Sequence, residues 1–166
     1  MTISNLKEVY IDQLQDIYSA DKQSLKATKK LLEAAGEKSL RDALERGVEG
    51  IEEGQKVVAE IIKSHDAEPT GEFCKGMEGL VKEVQAHVLD ADFDNDDVRD
   101  AMIITQYQRM VHYALAGYGC VVAFARRLDL NDEADRLQAC LDQTYHGDRT
   151  MTSIAEGKIN EEAKAA

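Results

Sequence analysis

The stretch Leu31-Leu-Glu-Ala-Ala-Gly-Glu-Lys-Ser-Leu40 ends one helical pattern and begins another within a few residues. Apolar residues recur at helical spacing before it, over 6–32, and again after it, over 40–62. Gly36 suits the left-handed position that often follows a helix, and Ser39 is a good cap for the next helix. Two long helices joined by so short a connection are expected to pack as an antiparallel hairpin.

Similar patterns predict four long helices and a short one. The first long helix runs from Ser4 or Asn5 to Gly36, and the second follows Ser39 to about Ile62. The prediction continues with a short helix over 75–89, a third long helix over 98–128, a fourth that is capped by Asn131 and ends near Ile159, and a frayed tail over 160–166. A loop with the single proline, Pro69, precedes the short helix, and an acidic linker over 90–97 follows it.

The composition is that of one all-helical domain spanning residues 1–166. Hydrophobic residues make up 43% of the chain and charged residues 31%, which is an ordinary globular balance. A chain of this length buries enough surface to fold without disulfides or a structural metal. The long connection between the second and third long helices favours an antiparallel four-helix bundle of the ferritin-like kind, with the short helix in the crossover.

The net charge of −12 makes nucleic acid and membrane surfaces poor partners, because both are anionic. We see no secretory signal at the start of the sequence and no apolar run long enough to span a bilayer. Cys74, Cys120 and Cys140 are odd in number and form no Cys-x-x-Cys pair. They are typical of reduced cysteines in a helical core, and they favour a cytoplasmic protein.

A few polar residues interrupt the apolar stripes near the helix midpoints. In an antiparallel bundle those midpoints lie at one level, so the sequence predicts a polar layer formed by Asp21, Glu52, Gln55, Gln108, Thr144 and Asp148. A buried carboxylate must be paired, hydrogen-bonded or bound to a metal. Two interpretations remain open: a hydrogen-bonded layer, or a single iron or manganese ion held by Asp21, by Glu52 or Gln55, and by Asp148.

The residues of a di-iron centre are missing. Such bundles use one Glu from each of two helices and a Glu-x-x-His motif from each of the other two. This chain has no Glu-x-x-His motif, and its third long helix has no carboxylate between Asp100 and Asp129. His112 is the only histidine in a long apolar segment, and we expect it to be a hydrogen-bonded core residue rather than a metal ligand.

Four segments give the chain a family resemblance. They are Asp12-Gln-Leu-Gln-Asp-Ile-Tyr-Ser-Ala-Asp-Lys-Gln23, Cys74-Lys-Gly-Met-Glu-Gly-Leu-Val-Lys-Glu83, Val98-Arg-Asp-Ala-Met-Ile-Ile104 and His112-Tyr-x-x-Ala-x-Tyr-Gly119. With these segments the chain resembles, over nearly its full length, the YciF-like, ferritin-like proteins of bacterial stress responses. The resemblance implies an antiparallel bundle that pairs as a dimer and, in many members, carries metal at the bundle centre.

The chain departs from the family pattern at the expected ligands. The resemblance implies Glu where this sequence has Asp21, and Glu on both sides of the His-Tyr pair, where it has Val111 and Ala114. It also implies a Glu pair where Gln143 and Thr144 stand, and His-Leu-Glu over 48–50, whereas Asp148 is kept. The resemblance therefore supports the fold more strongly than the metal chemistry.

These observations favour a stress-associated structural or binding protein that is not an enzyme and has a reduced bundle-centre metal site or none. The alternative is a di-iron or mononuclear metalloprotein with ferroxidase or peroxide-consuming activity. We also expect a homodimer through the third long helix, which is apolar on nearly every face over 114–125. The residues that favour this contact are small or flat: Tyr107, Ala114, Ala116, Gly117 and Gly119.

Overall fold

The computed structural model describes residues 3–166, and all regular secondary structure within them is helical. The helices are α1 (Leu6–Ala34), α2 (Lys38–Ser64), α3 (Lys75–Val84), α4 (Asp96–Arg127), α5 (Asn131–Ile154) and α6 (Asn160–Ala165). A π-helical turn over Gln85–Leu89 extends α3, and another over Ala155–Ile159 joins α5 to α6. The predicted order of four long helices, with a short one between the second and third, is confirmed.

The four long helices form a bundle in which neighbouring helices are antiparallel. Both α1 and α5 pack against α2 and α4. The start of α4 meets the start of α2, since Asp100 accepts hydrogen bonds from the N–H groups of Gly36 and Glu37. The start of α5 meets the end of α2, where the His65 ring lies 3.0 Å from Glu133. The long crossover carries α3 across α1 and α4, so the predicted ferritin-like arrangement is confirmed.

A buried carboxylate holds the connection between α1 and α2. The expected left-handed Gly36 is wrong, because no glycine among residues 3–166 has a positive φ, and Ala35 ends α1 in an extended conformation. The N–H groups of Gly36 and Glu37 instead donate to the two oxygens of Asp100, at 2.9 and 2.7 Å. Asp100 is fully buried, so this connection is tied to α4.

Capping residues set the starts of the long helices. Asn5 caps α1 as predicted. Helix α2 begins earlier than expected because the Glu37 side chain accepts the Lys38 N–H. Helix α4 also begins earlier, since Asn95 accepts the Asp97 N–H at 2.6 Å and brings the end of the acidic linker into the first turn. Asn131 is the first residue of α5 rather than its cap.

The C-terminal segment is helical, whereas the sequence predicted a frayed tail over 160–166. The π-helical turn places Ile159 in the core, where it is almost fully buried. The Lys158 ammonium lies 3.5 Å from the Glu37 carboxylate and 3.7 Å from that of Glu162. These contacts hold the end of the chain against the bundle, and α6 packs against α4.

Within one chain helix α4 is buried on one side, and its other side, which carries Ala116 of the predicted dimer contact, is exposed. Its inner face includes Met110, Val121 and Ala125, which are buried. On its outer face Ala116, Cys120 and Ala123 are exposed. Core burial is confirmed for Cys74 and wrong for Cys120, whereas Cys140 is half-buried. Within residues 3–166, no helix has the length and apolar character needed to cross a bilayer.

Candidate functional site

A cavity of about 250 Å³ lies at the centre of the bundle. Residues from α1, α2, α4 and α5 line it. Its deep wall includes Asp21, Tyr107 and Tyr118, whereas Arg46, Glu49 and His146 are exposed and stand at its mouth. The cavity therefore combines a solvent-facing mouth with buried polar groups in its wall.

Asp21 is the buried acid of the cavity, and only 4% of its surface is exposed. Its Oδ2 atom accepts a hydrogen bond of 2.7 Å from the Tyr118 hydroxyl, which is the only hydrogen bond of this carboxyl group among residues 3–166. Burial raises the pKa of Asp21 to about 7, although the Tyr118 hydrogen bond opposes the shift. Asp21 thus holds a proton more strongly than an exposed aspartate, and its Oδ1 atom makes no hydrogen bond with residues 3–166.

Two tyrosines of α4 project into the cavity about three helical turns apart. Tyr118 donates to Asp21, and its burial raises its pKa well above the usual value. Tyr107 is 5% exposed, and its hydroxyl makes no hydrogen bond with any residue in the described part of the chain. Burial, with a smaller effect from the charge of Asp148, raises the pKa of Tyr107 to about 12.

Three glycines on one face of α2 make room for these tyrosines. Gly47, Gly50 and Gly54 line the cavity, at positions that share a helix face. A Cβ atom on Gly47 would overlap the Tyr107 hydroxyl, and one on Gly54 would lie 2.7 Å from the Tyr118 hydroxyl. A glycine in a helix interior lowers helix stability by about 1 kcal/mol relative to alanine. On this face the three glycines lower the stability of α2, and they leave room for the tyrosines and the cavity.

The thiol in the cavity is a weak nucleophile. Cys140 lies on α5, and the Thr144 hydroxyl donates to its backbone carbonyl at 2.8 Å. Burial raises the pKa of the Cys140 thiol to about 11, and the Asp21 carboxylate adds to the shift. A thiol with so high a pKa is protonated at neutral pH and reacts slowly.

The predicted metal ligands lie in different surroundings. Asp21 lines the cavity, whereas Glu52 pairs with Lys29 at 2.7 Å near the surface. Gln55 is half-buried and makes no side-chain hydrogen bond with residues 3–166. Asp148 accepts a hydrogen bond from Gln108 at 3.0 Å, so one contact of the predicted polar layer is confirmed.

His112 completes the surroundings of Asp148. Its Nε2 atom lies 3.1 Å from Asp148 Oδ1. The hydrogen bond agrees with the prediction, but the core position is wrong, because the His112 side chain is 64% exposed. Asp21 and Asp148 thus bind different neighbours, and no hydrogen bond joins them in the described chain.

The donor set of the cavity does not fit a di-iron centre. Among residues 3–166, no three His, Cys, Asp or Glu side chains come together as a group that could hold a metal ion. The wall contributed by α4 contains Val111 and Ala114, which cannot bind iron. A di-iron centre needs carboxylates from all four helices, and here Asp21 is the one buried carboxyl group in the wall. The single-ion site stays a prediction.

Comparison with known proteins places this fold in a family. A family model described as a domain of unknown function, DUF892, matches residues 5–164. The chain belongs to the DUF892 family. The protein YciF of Escherichia coli strain K12 is 28% identical to this DUF892 chain over 165 residues, which are 99% of this chain and 98% of YciF. The predicted YciF-like family is therefore confirmed.

Solved structures of DUF892 relatives share the bundle. The crystal structure of the E. coli stress protein YciF matches with a TM-score of 0.87 at 28% identity, over 95% of this chain and 99% of YciF. The protein YcfI from Rhodopseudomonas palustris matches with a TM-score of 0.84 at 26% identity, over 91% of this chain and 95% of that protein. The likeness extends over the whole bundle, including the helices that form the cavity.

The apolar stripes of this DUF892 chain predicted the position of Asp21 but not the cavity around it. Two signals were available in the sequence. Gly47, Gly50 and Gly54 recur at the spacing of one helix face, and Tyr107 and Tyr118 recur at the spacing of three turns. Together they indicate that two large side chains face a row of glycines, which have no side chains.

Proposed function

We propose that this DUF892 protein is a stress-associated binding protein that is not an enzyme, and that its bundle centre holds a ligand cavity instead of a di-iron site. The chain is a member of the YciF-like stress protein family. The observation that carries the proposal is the wall of the cavity, which has one buried carboxyl group, two buried tyrosines and apolar residues from α4. Pockets with few polar groups in an apolar wall are typical of small-molecule sites.

The protonation of the cavity groups supports a site without nucleophilic catalysis. Burial raises the pKa of Asp21, Tyr107, Tyr118 and Cys140, so all four hold their protons more strongly than exposed groups. Nucleophilic catalysis needs the opposite shift or a neighbouring base that removes the proton. Among residues 3–166 the Asp21 carboxyl group accepts a hydrogen bond from Tyr118 and from no serine or cysteine that it could activate.

The test measures metal content and iron oxidation on protein purified without chelators. We expect less than one equivalent of iron or manganese per chain and no oxidation of Fe²⁺ above the rate in buffer. The Asp21→Asn variant should give the same result as the wild type. Two equivalents of iron or manganese per chain, or Fe²⁺ oxidation that Asp21→Asn abolishes, would overturn the proposal.

The alternative function is that of a metalloprotein with ferroxidase or peroxide-consuming activity at a single iron or manganese ion. One observation favours it: the free Oδ1 atom of Asp21 at the bundle centre is an oxygen ligand of the kind these ions accept. Asp148 would have to leave Gln108 and His112 to join it. One equivalent of bound metal that both Asp21→Asn and Asp148→Asn remove would favour this alternative.

A further inference from the structure

We propose that the bundle-centre cavity binds a linear aliphatic ammonium ion that carries a hydrogen-bonding group at its far end. The inference rests on the proposed function, since it names the ligand class of the same cavity. Three features of the cavity wall support it: two polar side chains, the distance between them and the apolar surface that separates them.

Asp21 provides the site for the ammonium group. Its carboxyl group is 4% exposed, has no cationic partner among residues 3–166, and uses only its Oδ2 atom, towards Tyr118. A buried carboxylate without a counter-ion is costly, and a cation that enters the cavity relieves this cost. The Tyr118 ring stands beside Asp21 in the wall, and an aromatic face adds to the attraction for an ammonium ion.

Tyr107 provides the second polar contact. The side chain is 5% exposed, and its hydroxyl opens into the cavity and has no hydrogen-bond partner in the described chain. A ligand in the cavity can bond to this hydroxyl in surroundings that the protein shields from bulk water, where a hydrogen bond is stronger. The hydroxyl both donates and accepts, so a hydroxyl or amine on the ligand satisfies it.

The glycines of α2 give the separation of the two contacts. Gly54 faces the Tyr118 hydroxyl next to Asp21, and Gly47 faces the Tyr107 hydroxyl. Seven residues of helix span about 10 Å, so a ligand that reaches both ends is an extended chain of about six carbons. Between the tyrosines the wall contains Met110, Val111 and Ala114, which suit methylene groups.

The charge of the molecule favours a cationic ligand. The net charge of −12 attracts cations to the surface and repels anions. At the mouth Arg46 and Glu49 have opposite charges and are exposed, so solvent weakens their effect on a ligand in the cavity. His146 is also exposed at the mouth, and the ionisable groups deeper in the wall besides Asp21, which are Cys140 and the two tyrosines, are protonated and neutral.

The experiment compares four probes of equal chain length by titration calorimetry at pH 8: hexylamine, 1-hexanol, hexanoate and 6-amino-1-hexanol. We expect both amines to bind, hexanoate not to bind, and 1-hexanol to bind at least about tenfold more weakly than hexylamine, since it lacks the ion pair. 6-Amino-1-hexanol should bind more tightly than hexylamine. Equal binding of the amine, the alcohol and the carboxylate would overturn the proposal, and so would no binding of either amine.

Matched variants distinguish the loss of the binding site from a general effect on the fold. Asp21→Asn keeps an acceptor for Tyr118 but removes the charge, and it should weaken amine binding by at least about tenfold. Asp16→Asn is its control, because Asp16 lies on the same helix and accepts a hydrogen bond of 3.0 Å from a tyrosine of α4, Tyr113, outside the cavity. Tyr107→Phe should abolish the advantage of 6-amino-1-hexanol over hexylamine. An equal loss in Asp21→Asn and Asp16→Asn would contradict the assignment.

Thiol alkylation locates the ligand. Cys140 lines the cavity, whereas Cys120 is exposed on the outer face of α4 and serves as the internal reference. Saturating hexylamine should slow the alkylation of Cys140 and leave that of Cys120 unchanged. Amine binding without protection of Cys140 would place the ligand elsewhere and overturn the proposal. If no amine binds and no iron is oxidised, this inference fails while the proposed function stands.

Discussion

Asp21 couples the stability of the protein to pH. Its pKa is 3.8 in the unfolded chain and about 7 in the folded one, because burial disfavours the charged form. The folded state therefore binds the proton more strongly, and stability from this group is fully present below pH 3.8 and is lost as the pH rises to about 7. A shift of this size corresponds to about 4 kcal/mol across the window.

The measurement is urea unfolding of the wild type and Asp21→Asn from pH 4 to pH 8. Since asparagine does not titrate, the wild type should lose stability relative to the variant as the pH rises, by a few kcal/mol in total. Above pH 7 the variant should be as stable as the wild type or more stable. A difference between the two proteins that stays constant over this range would contradict the assigned pKa.

Gln106 is a second buried polar residue whose contacts are incomplete. It is 3% exposed, and within residues 3–166 its Oε1 atom has no hydrogen-bond partner and its Nε2 atom approaches only the Met102 sulphur, at 3.9 Å. Methionine has a similar shape and no such polar groups. Gln106→Met should therefore raise the free energy of unfolding by about 1 kcal/mol, measured by urea denaturation.

The matched control for Gln106→Met lies two residues away. Gln108 donates to Asp148 at 3.0 Å and to the Thr152 hydroxyl at 2.9 Å. Gln108→Met breaks these bonds, and the free energy of unfolding should fall. If both variants change the free energy of unfolding in the same direction, the effect of Gln106→Met does not come from the missing hydrogen-bond partner of Gln106.

At the scale of the helices, Asp100 joins the α1–α2 connection to the start of α4. Its two oxygens accept the N–H groups of Gly36 and Glu37 at the start of α2, where the helix dipole also favours an anion. Asp100→Asn leaves only one acceptor for two half-buried donors. We expect a loss of about 1–3 kcal/mol in the free energy of unfolding. Asp94→Asn, in the exposed linker before α4, is the control and should change it by less than about 0.5 kcal/mol.

The helices could be predicted from the sequence because their signals are local. Apolar spacing shows where α1 and α2 lie, and the short connection between them fixes their antiparallel packing. Contacts between helices depend on the register of each helix along its neighbour. The spacing of apolar residues along one helix does not reveal this register. The helix midpoints placed Gln108 and Asp148 at one level but named no bond between them, and the partners of Asp21 and Asp100 were not predicted at all.

The candidate site could be predicted only in part for the same reason. A lone acid in an apolar stripe identified Asp21 as a buried polar group. The cavity beside it arises because three small residues of α2 face two large ones of α4, and this match appears only once the two helices are in register. Apolar spacing on α4 likewise does not distinguish a face that is buried within the chain from one that is exposed in a single copy.

At the scale of the whole molecule, the outer face of α4 is an uncharged strip on an acidic protein. Ala116, Cys120 and Ala123 are exposed there, and no charged residue lies between Arg109 and Arg126. Two copies with a net charge of −12 each repel one another. The repulsion is weakest where the contacting surfaces of both copies carry no charge. Tyr107 and Ala114, which the sequence also assigned to this contact, instead line the cavity.

We therefore expect a homodimer in which the two α4 helices meet along this strip, since small side chains let helices approach closely and two-fold dimers are the commonest closed assembly. Ala116→Arg places a long charged side chain on the strip, opposite its own copy if the contact is symmetric, and should weaken dimerisation by at least about tenfold. Ala86→Arg is the control, because Ala86 is exposed in the π-helical turn after α3, away from the strip. Sedimentation velocity at micromolar concentration should show a dimer for the wild type and for Ala86→Arg, and a folded monomer for Ala116→Arg. A wild-type protein that sediments as a folded monomer would contradict the predicted dimer. A dimer that persists in Ala116→Arg would show that the contact lies on another face of the protein.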